Sequence, residues 1–221
     1  MSQERRKTAS TGRVPADLPP DLEYLTPIEA AGFLPALPLE DARVESEDVT
    51  GAEIPSLSLI GSVVERVVFA QARVQSALLR DVRFVKCDLS NAIFHRFEAR
   101  RVEFIDCRLL GMKAIACNWQ DVLVENCDAR YAQFNGGVVR SCEFKGTRLD
   151  EADLRGVNLA GTLFRDASLR RADLSGAKLN NANLRGADID GLVVHAEDLR
   201  GALVTPPQAM DLARLLGLVI G

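Results

Sequence analysis

Residues 152–191 read ADLRG VNLAG TLFRD ASLRR ADLSG AKLNN ANLRG ADIDG, eight five-residue units in succession. In each unit the first residue is small or β-branched and the third is Leu, Phe or Ile. A period of five fits neither one amphipathic helix nor one amphipathic strand. With the third residue named i, positions i−2 and i are apolar and the polar residue between them points the other way, which is a three-residue strand fragment. The last two residues, rich in Gly and Asn, turn a corner. Such a repeat marks a solenoid, in which each unit buries its apolar residues against its neighbours.

The frame extends well beyond this stretch. Stepping by fives in both directions from Leu154, every i position from Val44 to Val204 is apolar, with no insertion or deletion across residues 42–204. Those residues correspond to about eight coils of twenty, and at ~4.8 Å per strand spacing to a rod roughly 39 Å long. The A-[DN]-L-x-x pattern resembles the pentapeptide-repeat family. The resemblance implies an all-β solenoid, a right-handed quadrilateral β-helix with four units per square turn. The four sides and the hand come from the resemblance, because a period of five supplies neither.

The irregular positions conserve volume. Phe97 and Met112 are large in the otherwise small i−2 column, and their partners Ala99 and Ala114 are small in the i column, as close packing requires. Trp119 lies one coil beyond Ala99 on the same side and two units before Ala129, which predicts a core tryptophan rather than a binding platform. Cys87, Cys107, Cys117, Cys127 and Cys142 all occupy i−2 and no pair has CxxC spacing. They read as small buried hydrophobes, not as ligands of a metal or as disulfides.

The chain divides into an N-terminal segment (1–41), the repeat rod (42–205) and a C-terminal element (206–221). The first twenty residues are polar and Pro-bearing and are expected to be poorly ordered in part. Thr26-Pro27-Ile28-Glu29 has the form of a capping box with Pro at the first helical position, which predicts a short helix through about Gly32. Together with Phe33, Leu34, Leu37 and Leu39, residues 24–41 are expected to cap the open end of the rod. Thr205-Pro206-Pro207-Gln208 repeats the capping pattern and predicts a helix over 206–216 ended by Gly217. Its Met210, Leu212, Leu215 and Leu216 are expected to cap the other end and to offer a homodimer contact.

Composition adds exclusions. The 221 residues are 47% hydrophobic but only 5% aromatic, as suits a narrow core. The N-terminus, MSQERRKTAST, has no apolar stretch behind its charges and no segment could span a membrane, so the expected location is the cytoplasm. His95 and His195 fall five coils apart on one side, too far to cooperate. No nucleophile, P-loop or dinucleotide motif is present, so the chain reads as no enzyme, with no cofactor and no metal site.

Function is therefore expected on the outer surface: a protein-interaction scaffold, with direct nucleic-acid binding disfavoured by an acidic chain. The family resemblance implies an alternative, a DNA-imitating gyrase-binding protein that confers drug resistance. That reading needs a negative stripe, yet residues 41–205 carry 24 Asp or Glu against 22 Lys or Arg, intermixed on every side. One side stands out. The side carrying Val44, Val64, Phe84 and Phe104 also turns Val63, Val85, Ile105, Leu123, Leu163 and Leu203 outward, a candidate strip for a partner or for residues 1–40.

Overall fold

The computed structural model describes residues 12–19, 22–28 and 38–216. Parallel pairing at a constant offset of twenty dominates it. Val44 pairs with Val64 and Val64 with Phe84, and isolated bridges continue the same step from Asp48 through Val68 and Asp88 to Asp188. The chain thus winds a parallel β-solenoid of about seven turns, whose four sides are numbered by their i residues. Side 1 carries Val44 and Phe84, side 2 Val49 and Phe69, side 3 Ile54 and Val74, and side 4 Leu59 and Leu79. Two strands of nine residues, Ala77–Val85 and Phe97–Ile105, run through the corner from side 4 onto side 1.

The period of five works because its fifth residue accepts a left-handed backbone. Among the described residues, eighteen non-glycine residues and eleven glycines have positive φ, and every one of them is at i+2. Gly, Asn and Asp adopt that conformation most easily, which explains their abundance at the corners. All i residues from 44 through 194 are buried. Leu199 and Val204 are only half-buried, because after Val194 the chain leaves the frame for a turn over residues 196–201. The expected eighth coil is therefore incomplete.

The middle of the core is aromatic. Trp119 is fully buried and meets Phe97 edge-on at 5.2 Å, Phe134 edge-on at 5.1 Å and Phe104 stacked at 5.7 Å. Ala99 lies directly opposite it in the neighbouring coil. The volume exchange read from the sequence holds, with Phe97, Met112, Ala99 and Ala114 all buried. Gly137 extends it: a Cβ there would fall 2.2 Å from the Cys117 sulfur, so the cysteine fills its neighbour's place.

The five thiols are free and buried, and they do more than fill space. Cys87, Cys107, Cys127 and Thr147 form a ladder along one column. The backbone N–H of Cys87 donates to Cys107 Sγ at 3.4 Å and that of Cys107 to Cys127 Sγ at 3.3 Å. Each side chain in turn donates to a carbonyl of the adjacent coil, as Thr147 Oγ1 does to Val124 O at 2.8 Å. The ladder raises the thiol of Cys107, first through its bond to Cys127, to about 12. Burial holds Cys117 near 11 and Cys142 near 12.

The N-terminal helix expected to start at Thr26-Pro27 does not start there. Thr26–Ile28 is a parallel strand on Ala42–Val44, and the helical structure before it among the described residues is one 3-10 turn, Leu22–Tyr24. The first coil presents an open edge of unpaired backbone groups, and pairing with that edge outcompetes a local cap. The Thr26 N–H donates to Asp41 O at 2.7 Å, while Pro27, which has no N–H, suits an outermost strand. Ile28 and Leu39 pack on the core; Glu29, Phe33, Leu34 and Leu37 lie outside the described residues.

The C-terminal helix is formed, over Pro206–Ala213, followed by a 3-10 turn over Arg214–Leu216. Its capping box is complete: Thr205 Oγ1 accepts from the Gln208 N–H, and the Gln208 side chain accepts from the Thr205 N–H at 2.9 Å. Gln208 also donates through Nε2 to Leu184 O at 2.7 Å and Ala187 O at 2.9 Å. Those carbonyls belong to the last complete coil, and the side chain takes the place of the coil that does not follow.

Candidate interaction surfaces

Outward residues in this rod stand in columns twenty apart, so each charge has two nearest neighbours in its own column. Several columns set opposite charges against each other. Arg73 faces Glu53 at 3.5 Å, Lys145 faces Glu125, Arg171 faces Glu151 at 2.8 Å and Arg170 faces Asp190. Bidentate pairs within a unit add to this, as in Arg130–Asp128 and Arg155–Asp153. The carboxylates of Asp128 and Asp153 are held below their ordinary value first by those arginine bonds. Exposed pairs of this kind contribute little stability; their consequence is a surface without a continuous field of one sign.

Side 1 departs from the pattern. At its corner and outward positions Asp81, Glu103, Asp121 and Glu143 are buried, as are Val63 and Leu123. Residues 12–19 lie there in an extended run. The Val14 N–H donates to Asp121 Oδ1 at 3.3 Å and the Asp17 N–H to Asp81 Oδ1 at 2.9 Å, while Arg13 pairs with Glu103 at 3.6 Å. Asp121 and Asp81 are two coils apart, ~9.6 Å, which is what three extended residues span. The segment therefore runs along the rod axis, across the coils. Asp81 is the best-partnered group in the column. Arg101 Nε donates to it at 2.6 Å and Arg101 Nη2 to its second oxygen. Burial acts most strongly on this carboxyl and upward, but the Arg101 and Asp17 bonds and the Arg101 and Arg80 charges outweigh it and hold it below the ordinary value.

The aliphatic strip is accordingly divided. Val63 and Leu123 are buried, Val85, Ile105 and Leu163 are half-buried, and Leu203 is exposed. The sequence could name this side by its excess of aliphatic residues, but Arg13, Asp81, Arg101, Glu103 and Asp121 carried no signal of their own, since each reads as an ordinary outward charge.

The C-terminal end is the second surface. Leu212 packs on the core, whereas Met210 and Leu215 are exposed at 53% and 44%; for Leu216 only the backbone is described. A groove of about 320 Å³ runs between helix and rod, lined by Ala196, Leu199, Ala202, Val204, Ala209, Leu212 and Ala213. Among the described residues no cluster of His, Cys, Asp or Glu is placed to hold a metal, and no helix is long and apolar enough to cross a membrane.

Profiles of known families cover most of this rod. "Pentapeptide repeat region" matches residues 77–154, and "Pentapeptide repeats (8 copies)" matches 147–186 and 167–202. The chain belongs to the pentapeptide-repeat family. No curated protein matches it in sequence. Among solved pentapeptide-repeat proteins, full-length QnrB1, a plasmid-mediated fluoroquinolone resistance protein, is 22% identical with a TM-score of 0.50 over 87% of this chain and 95% of that one. A trypsin-treated, singly substituted form of QnrB1 gives 21% identity and a TM-score of 0.51 over 88% and 95%. HetL, a pentapeptide-repeat protein involved in heterocyst differentiation regulation from the cyanobacterium Nostoc sp. strain PCC 7120, is 20% identical over 79% of this chain and 90% of its own, with a TM-score of 0.31. At these identities the QnrB1 likeness establishes the β-helix of the pentapeptide-repeat family and nothing about its partners.

Proposed function

We propose that the protein is a non-catalytic scaffold that acts by binding other proteins, and that the C-terminal end of its rod binds a second copy of the chain. The observation that carries this reading is the apolar surface at that end. Met210, Leu215 and Leu203 are each more than 40% exposed beside the groove between helix and rod. Solenoids cover their ends because a raw core is exposed there, and here one short helix covers only part of it. A two-fold axis through this end would set the two helices against each other and bury what each leaves open. Light scattering on the full-length protein should give a dimer, and Met210→Ser with Leu215→Ser should give a monomer with an unchanged circular dichroism spectrum. A monomeric wild type would remove the dimer from this reading.

A second reading, topoisomerase binding by imitation of DNA, is favoured by one observation, the fold shared with QnrB1 over 88% of this chain. Imitation of duplex DNA needs negative charge at phosphate-like density, and the paired columns above cancel it locally. Gyrase supercoiling is therefore expected to be unchanged by micromolar protein, with or without a fluoroquinolone. Inhibition, or protection from the drug, would put the topoisomerase reading in place of the scaffold reading.

A further inference from the structure

The four carboxylates on side 1 present a problem of placement. Outward residues of a β-helix belong in water, yet Asp81, Glu103, Asp121 and Glu143 are each no more than 7% exposed. Burying a charge without partners is costly, so something must both cover and satisfy them. Residues 12–19 meet three of them, Asp81, Glu103 and Asp121, with peptide N–H groups and one guanidinium rather than with apolar packing, while Glu143 pairs with Arg165 of the rod at 3.5 Å. Side 1 has taken up an extended polypeptide, and the contacts are of a kind that many extended polypeptides could make.

The chain's own segment fits this groove imperfectly. Arg13 is 12% exposed at its side chain, yet its nearest approach to Glu103, 3.6 Å, is an ion pair without a hydrogen bond. Its Nε and Nη1 are buried with no hydrogen-bonding partner. Glu103 meanwhile accepts a well-formed bond from Arg83 Nε at 2.9 Å. A buried donor left unsatisfied costs about 1–3 kcal/mol. Outward of the contacts, Val14, Pro15 and Asp17 are exposed, while Arg13, Ala16 and Leu18 are turned towards the rod. Such a segment, held by few bonds and little apolar area, belongs to the low-stability end of a structure.

We propose that the groove along side 1, floored by Val63 and Leu123 and edged by Asp81, Glu103 and Asp121, is a binding site for an extended segment of a partner protein, and that residues 12–19 are its built-in competitor. The preferred ligand places an arginine over Glu103, a small residue three positions later and an aliphatic residue two beyond that, as Arg13, Ala16 and Leu18 do. A partner arginine that is not tethered as Arg13 is can reach a paired geometry with the carboxylate. The tether gives residues 12–19 a high effective concentration, so a free peptide competes poorly until the segment is released. This inference rests on the scaffold reading and specifies where on the rod a partner docks.

The test uses the full-length chain and a labelled synthetic peptide, GRVPADLP, the sequence of residues 12–19. In the variant Arg13→Glu with Asp17→Pro, the first change places like charge against Glu103 and the second removes the N–H that Asp81 accepts. Neither residue belongs to the rod, and circular dichroism should be unchanged. Fluorescence polarisation should show the peptide binding this variant at least tenfold more tightly than wild type, and Asp121→Asn with Glu103→Gln in the same background should abolish the gain. A gain below tenfold, or no binding to the released variant, overturns the proposal. Dimerisation at the C-terminal end is measured separately, so failure here leaves the scaffold reading standing or falling on its own result.

Discussion

Replacing Trp119 with alanine is expected to destabilise the rod by about 4 kcal/mol, the cost of removing a large buried aromatic side chain when the cavity cannot collapse. Collapse is hindered on every side. Phe97, Phe104 and Phe134 surround the indole at 5.1–5.7 Å, and Ala99 opposite it has no side chain long enough to move in. In a solenoid each coil contacts only its neighbours, so the loss falls on one interface and separates the rod into two halves. Urea denaturation followed by far-ultraviolet circular dichroism should show an earlier and broader transition than in wild type. Trp119→Phe is the decisive control. It leaves a smaller void and also removes an indole N–H that is buried without a protein acceptor; the two effects oppose each other and should leave stability within about 1 kcal/mol of wild type. If the phenylalanine variant were as unstable as the alanine variant, packing around the ring would not be what Trp119 contributes.

How far the sequence could be read depended on whether a residue's role was periodic. The i column from 44 through 194, the Phe97–Ala99 exchange, the core position of Trp119 and the cap at Thr205 all follow from register or from a local motif, and the structure places each as expected. The cysteines were placed correctly as buried residues, but their hydrogen-bonded ladder was not legible, because a spacing of twenty says that side chains stack and not what they bond. Thr26-Pro27 failed for a different reason. A capping box is a local signal, and a strand edge offered by Ala42–Val44 is a tertiary one; the tertiary partner won. The segment over 12–19 was legible only in outline: the aliphatic strip marked side 1 as a place for a partner or for residues 1–40, but not which residues would lie there or what they would bond. It has no period of its own, and the carboxylates that receive it look in sequence like every other outward charge. Only the surplus of aliphatic residues on side 1 distinguished the place.

Gln208→Leu is expected to cost about 3 kcal/mol, composed of a lost helix cap and two buried carbonyls left without donors. Leucine keeps the volume and the burial, so the loss isolates hydrogen bonding: Leu184 O and Ala187 O lose Nε2, and the Thr205 N–H loses its acceptor. The damage should be local, because the side chain stands in for one missing coil at one end. Hydrogen exchange should quicken at the amides of the last coil and the helix, and limited proteolysis should release the C-terminal end while the aromatic middle stays protected. Gln208→Glu separates the two roles. A carboxylate can still accept from Thr205, but it cannot donate and it brings negative charge against two carbonyls, so at neutral pH it should be worse than leucine. Burial and those carbonyls disfavour the charged form and raise the pKa of the introduced carboxyl above its unfolded value. The folded state then binds the proton more readily than the unfolded state does. Stability of this variant should therefore rise as pH falls through the raised pKa and level off below the ordinary glutamate range, with the protonated carboxyl donating to one of the two carbonyls. The leucine variant, which has no group to titrate there, should show no such gain relative to wild type. If both variants followed the same pH profile, Gln208 would be capping the helix without closing the rod.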